Sequence, residues 1–169
     1  MPKTRKLALM AMLTAVSLIV FVIEAQIPPV VPIPGVKLGV ANIITLVAMV
    51  ILGKREAGVI LLLRIVMASM FSGGVSGFLF SIAGGALAYL VMCLTLDLFP
   101  GNLMWVVSIL GAVAHNVGQL LVAVAVTNTP KILYYIFALL ISAVITGAFT
   151  GFAAMYLTKA LGKLDKRQK

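Results

Sequence analysis

Apolar residues along this chain do not alternate with polar ones; they run in long blocks, and the polar residues fall between the blocks. The blocks predict six helices, over about residues 7–25, 38–52, 57–70, 78–98, 104–126 and 132–158. The block from Met104 to Val126 is long enough to cross a membrane. The second is not: from Leu38 it extends only ~22 Å, short of the ~30 Å hydrocarbon core, so it must be flanked by ordered loop or start inside the protein. Between the first two blocks, Ile27 to Gly35 contains four prolines and cannot be helix. Its apolar composition predicts a stiff loop packed over the bundle. Gly53-Lys54-Arg55-Glu56 reads as a tight charged turn, and Ser72 to Gly77 as a small, polar break. Two further turns fall at Asp97 to Asn102 and at Asn128 to Lys131.

Within the blocks, small residues recur at helical spacing. Ala8, Ala11 and Ala15 form a stripe, and Ala11 with Ala15 makes a small-xxx-small pair that lets another helix approach closely. Ala143, Gly147, Gly151 and Ala154 form a second stripe containing G-x-x-x-G, open to a dimer contact or to packing within one chain. Gly84-Gly85-Ala86 provides another close approach.

Polar residues inside the blocks are few. Ser108, Gly111, His115, Gly118 and Gln119 share one stripe, with the only histidine near the middle of its helix. Lipid offers such groups no hydrogen-bond partner, so the stripe faces protein or a wet cavity. Asn116 lies about 100° round the helix from His115. Arg64 lies ~12 Å along its helix from Glu56. Leaving it in lipid costs at least ~2.5–3.5 kcal/mol, which favours an inward-facing guanidinium. Glu24 ends the first helix and reads either as a solvated carboxylate or as part of a site. The inventory of Lys37, Arg64, His115, Asn116 and Gln119 contains two firm cations and no buried acid beyond Glu24. That favours a polar or anionic ligand over a cation, with pairing of Arg64 to Glu24 or to backbone carbonyls as the alternative.

Composition agrees with the pattern. Of 169 residues 63% are hydrophobic and 10% charged, and the mean hydropathy is +1.21. These values predict one integral membrane domain over residues 1–169, with no separate soluble part expected. Lys3, Arg5 and Lys6 precede a run too long for a signal peptide and without an A-x-A site, which predicts an uncleaved first helix. The net charge of +9 marks topology and anionic lipid rather than nucleic acid. Ten Lys and Arg fall at the termini and the 53–56 turn, against Lys37 and Lys131 on the other side, with Arg64 in between. Both termini are therefore expected in the cytoplasm of a multi-pass cell-membrane protein.

The chemistry missing from the chain narrows its function. No P-loop, nucleotide fingerprint, CxxC, HExxH or G-x-S-x-G occurs. Four acidic residues, none paired at close spacing, make no magnesium site for diphosphates, and one His with one Cys makes no metal site. Cys93 reads as a small core residue. No catalytic residue, metal or cofactor is expected, and active transport would need an ion gradient or partner subunits.

Pro34-Gly35-Val36-Lys37-Leu38-Gly39-Val40-Ala41-Asn42-Ile43, Leu52-Gly53-Lys54-Arg55-Glu56-Ala57, Ser81-Ile82-Ala83-Gly84-Gly85 and the Gly111–Gln119 stretch resemble the membrane family called Gx transporter, whose members are often labelled heptaprenyl diphosphate synthase component I. That family is similar to the S components of energy-coupling-factor (ECF) transporters. The S-component resemblance implies an all-α, six-transmembrane-helix bundle that binds a vitamin-like small molecule in its outer half. It also implies docking through an A-x-x-x-A stripe, matched by Ala11 and Ala15, on a coupling subunit driven by two cytoplasmic ATPases. Lys37, Asn42, Arg64, His115, Asn116 and Gln119 are the expected substrate-binding residues. A second reading is an accessory membrane subunit of a flavin- or quinone-linked electron-transfer system or of isoprenoid biosynthesis. Prenyl elongation itself needs clustered aspartates, which are missing here.

Overall fold

The structure, a computed structural model, describes residues 2–27, 39–70 and 74–166, with side chains through residue 162. The described residues contain helices and no strand. The six α-helices are α1 (Lys3–Ala25), α2 (Asn42–Ile51), α3 (Lys54–Ala68), α4 (Gly74–Thr95), α5 (Met104–Thr127) and α6 (Ile136–Lys166). Short 3-10 turns at Gly101–Leu103 and Pro130–Tyr135 lead into α5 and α6.

Helix boundaries depart from the apolar blocks for identifiable reasons. The edge of an apolar block marks where a helix meets water, not where it stops. Thus α1 begins at Lys3 and carries its basic residues within the helix. The charged turn after α2 reduces to Gly53, whose φ of 106° suits glycine alone, and α3 starts at the next residue. Glu56 thereby falls in the first helical turn, where the helix dipole favours an acid. Gly74 to Gly77, expected as part of a break, already belongs to α4. Asn128, left-handed at φ 50°, ends α5.

The short helix α2 is the centre of the molecule. It touches all five other helices, and Asn42, Ile44, Thr45, Leu46, Val47, Ala48 and Met49 are all buried along its ten residues. Its length of ~15 Å is sufficient because most of its surface meets protein; of its ten residues Val50 alone is exposed. Leu46, Val47 and Ala48 pack with Ile60 of α3, Ala88 and Met92 of α4 and Val107 of α5 in the main apolar core.

Around that core, α5 lies along both α4 and α6, and glycines set the separations. A Cβ on Gly118 would stand 2.6 Å from the Ala83 carbonyl oxygen. On Gly147 it would meet the Ile109 Cα at 2.6 Å, and on Gly151 the Trp105 Cα at 2.4 Å. The G-x-x-x-G of α6 is therefore consumed against α5 within one chain. The Ser108 and Thr150 hydroxyls hydrogen-bond across the same seam at 2.9 Å. The alanine stripe of α1 behaves oppositely: Ala8, Ala11 and Ala15 are all exposed, beside Leu7, Met12 and Ile19.

One end of the bundle is tied by ions. Lys6 of α1 pairs with Glu56 of α3, and Lys54 with Asp97 just beyond α4. The Tyr89 hydroxyl donates to the Lys54 carbonyl at 2.8 Å. Four helical stretches, Lys3–Ala25, Gly74–Thr95, Gly101–Thr127 and Pro130–Gly162, are long and apolar enough to cross a membrane.

Candidate functional site

At the end of α1 away from the ion pairs, five elements bring polar groups to one point. Phe21 and Glu24 come from the last two turns of α1, and Gly39 from the residues leading into α2. Arg64 comes from α3, Ser81 from α4, and His115 and Gln119 from α5. Together they line a cleft of only about 10 Å³, room for roughly one water molecule. Glu24, Arg64, His115 and Gln119 are 5%, 4%, 4% and 1% exposed.

The His115 ring is held by the absence of side chains. A Cβ on Gly39 would stand 2.9 Å from its Cδ2, and one on Gly84 would stand 2.8 Å from its Cε1. Two glycines from different elements thus flank the imidazole and fix its plane. Gly84 also packs on Gln119, with its Cγ 3.0 Å from the same hypothetical Cβ. Every member of the stripe read from sequence (Ser108, Gly111, His115, Gly118, Gln119) is buried.

Glu24 is the principal residue that sequence left open. Its carboxylate accepts hydrogen bonds from the Gly39 N–H at one oxygen and from the Ala41 N–H, at 3.3 Å, at the other. It also interacts electrostatically with Arg64. The site therefore contains a buried acid that offsets its guanidinium. Of the two readings that sequence left open for Glu24, the structure shows the buried one, since an acid at a helix end looks solvated until its partners are known. Arg64 turns inward as its depth required, and its Nε has no hydrogen-bond partner among the described residues.

The other expected residues fall in three places. Asn42 opens α2 beside Gly39, buried, with its Nδ2 3.2 Å from where a Gly39 Cβ would be. Asn116 is turned away: its Nδ2 donates to the Leu139 carbonyl of α6 at 2.8 Å, so it joins helices instead of lining the cleft. Its 100° offset from His115 is the cause. Lys37 and the Pro34–Lys37 loop lie outside the described residues. Sequence reasoning missed Gly39, Phe21 and Ser81. The small residues beside the proline run were the available signal for Gly39. The described residues contain no group of three or more His, Cys, Asp and Glu that could hold a metal.

Long apolar helices around a buried, charge-compensated polar cleft define a multi-pass membrane protein with an internal polar site. Residues 13–157 match the family model described as heptaprenyl diphosphate synthase component I. The chain belongs to that family, in agreement with the resemblance of its motifs. No curated protein and no solved structure matches it.

Proposed function

We propose that this chain is the substrate-binding membrane subunit of an uptake system of the energy-coupling-factor type. It would take up a small polar molecule at the cell membrane and have no catalytic activity of its own. The observation that carries the reading is a division of labour along α1. Its first half presents Ala8, Ala11 and Ala15 outward, where small side chains leave a groove for a partner helix. Its far end contributes Glu24 to the internal polar cleft. By the ten-to-two distribution of basic residues, the alanines lie in the cytoplasmic half and the cleft in the outer half. The partners are a membrane coupling subunit and two cytoplasmic ATPases, because the chain carries no nucleotide-binding motif.

Co-purification tests this. The wild-type protein is expected to bring down a coupling subunit with two ATPases. The double variant A11W/A15W is expected to lose them while keeping its unfolding temperature, since neither side chain packs inside the bundle. Partners retained in the double variant, or no ATPase recovered from the wild type, would sink the proposal.

A second reading takes the family's description at its word and makes the chain an accessory membrane subunit of a prenyl diphosphate synthase. Two apolar surface grooves flank α4 and suit an isoprenoid chain. One, of about 330 Å³, includes Ala83, Leu87 and Leu121; the other, of about 250 Å³, includes Gly58, Leu61 and Ile82. Recovery of an aspartate-rich synthase in place of ATPases would decide for this reading. Recovery of a flavin- or quinone-linked enzyme would point to the electron-transfer alternative.

A further inference from the structure

Glu24 stands in the last turn of α1, where the helix dipole disfavours a negative charge. It is nevertheless buried, and what holds it there belongs to other elements. The Gly39 and Ala41 N–H groups, just ahead of α2, each donate to one of its oxygens. N–H groups at the start of a helix lack intrahelical acceptors and together attract anions. No side chain of the local sequence caps α2 in Glu24's place. Arg64 lines the same cleft, 4% exposed, with its Nε unpartnered among the described residues. Two converging backbone N–H groups beside a guanidinium are the donor set that binds a carboxylate.

We infer that Glu24 is a tethered stand-in for the ligand: the site is built for a small molecule bearing a carboxylate, and Glu24 fills the carboxylate's place when no ligand is bound. The cleft of about 10 Å³ admits no organic molecule while Glu24 occupies it. A ligand enters by exchange. Its carboxylate takes the Gly39 and Ala41 N–H groups and faces Arg64, and the Glu24 side chain swings toward water at the end of α1, where Gln26 and Ile27 are exposed. The buried charge is unchanged by the swap, so Arg64 never loses its counter-ion. This inference rests on the cleft being the substrate site, as proposed above, but not on the partners that drive uptake.

The test uses purified full-length protein with sodium formate and sodium acetate as probes. E24A removes the stand-in and is expected to unfold at lower temperature than wild type. Formate or acetate should then restore its stability saturably, acting at concentrations at least about tenfold lower than any effect on wild type, the scale of one hydrogen bond to a charged group. Sodium chloride at equal ionic strength should not substitute, and E24A/R64Q should not respond. If E24A does not fold, E24Q retains the side-chain volume and an acceptor, and its neutral amide should yield to formate more readily than the native carboxylate does. Equal responses to formate and chloride, or a wild-type response equal to that of the variants, would overturn the inference. A carboxylate response without recovered ATPases would leave the stand-in established and the uptake reading unsupported. The reverse pair of results would reject the stand-in alone.

Discussion

His115 shows how much of this site depends on atoms that are missing. Its ring lies between Gly39 and Gly84, and neither position has room for a methyl group. G84A should therefore displace the imidazole or part α4 from α5, lowering stability by about 1–3 kcal/mol, as overpacking does. G77A, on the same helix with nothing within 4 Å of the new Cβ, should be neutral or slightly stabilising, because alanine favours helix over glycine. Thermal unfolding of the two variants in the same detergent makes the comparison, and equal losses would refute the packing account. The sequence showed Gly84-Gly85 as a place of close approach, but not that histidine is what approaches. Asn116 was similarly legible as buried and illegible as to its partner, the Leu139 carbonyl.

Among the elements, α2 was the one whose length did not fit a membrane span, and its packing against all five other helices resolves the misfit. The glycine pair of α6 was open to use within or between chains, and the Ile109 and Trp105 backbones decide for within. At the other end of the bundle, the Lys6–Glu56 pair ties the starts of α1 and α3 together. The hydrogen bond from Lys6 holds the Glu56 carboxyl below its ordinary pKa of 4.5. A carboxylate whose folded pKa is depressed adds stability that is complete above the unfolded pKa and is lost as pH falls through the folded one. Stability of the wild type should thus decline as pH drops below about 4.5, and K6M should flatten that decline. Both residues are partly exposed, so the effect should be small and weaken further in high salt. An identical pH profile in K6M would show that the pair contributes nothing.

For the molecule as a whole, the distribution of ten basic residues against two sets the expected orientation, with both termini cytoplasmic. Cysteine labelling in a C93A background tests it. P130C should react with an impermeant reagent in intact cells, and K54C only after permeabilisation. Reaction of K54C from outside would invert the topology and place the polar cleft in the inner half, which would also remove the basis for uptake.

What the sequence alone determined follows from the membrane as solvent. Lipid hydrogen-bonds to nothing, so long apolar blocks become helices and the His115 stripe and Arg64 turn inward whatever their neighbours are. These are properties of one helix at a time, readable from its period. Only the tertiary structure decided which helix meets which, and at what rotation. It placed the Glu24 carboxylate on the N–H groups that precede α2, fifteen and seventeen residues away along the chain. It turned Asn116 toward α6 and set α2 against all five other helices. The physical reason is that each of these outcomes depends on two elements at once. Helical period gives every element an inward face, but the partner across that face is chosen by how whole surfaces pack, glycine against backbone and donor against acceptor.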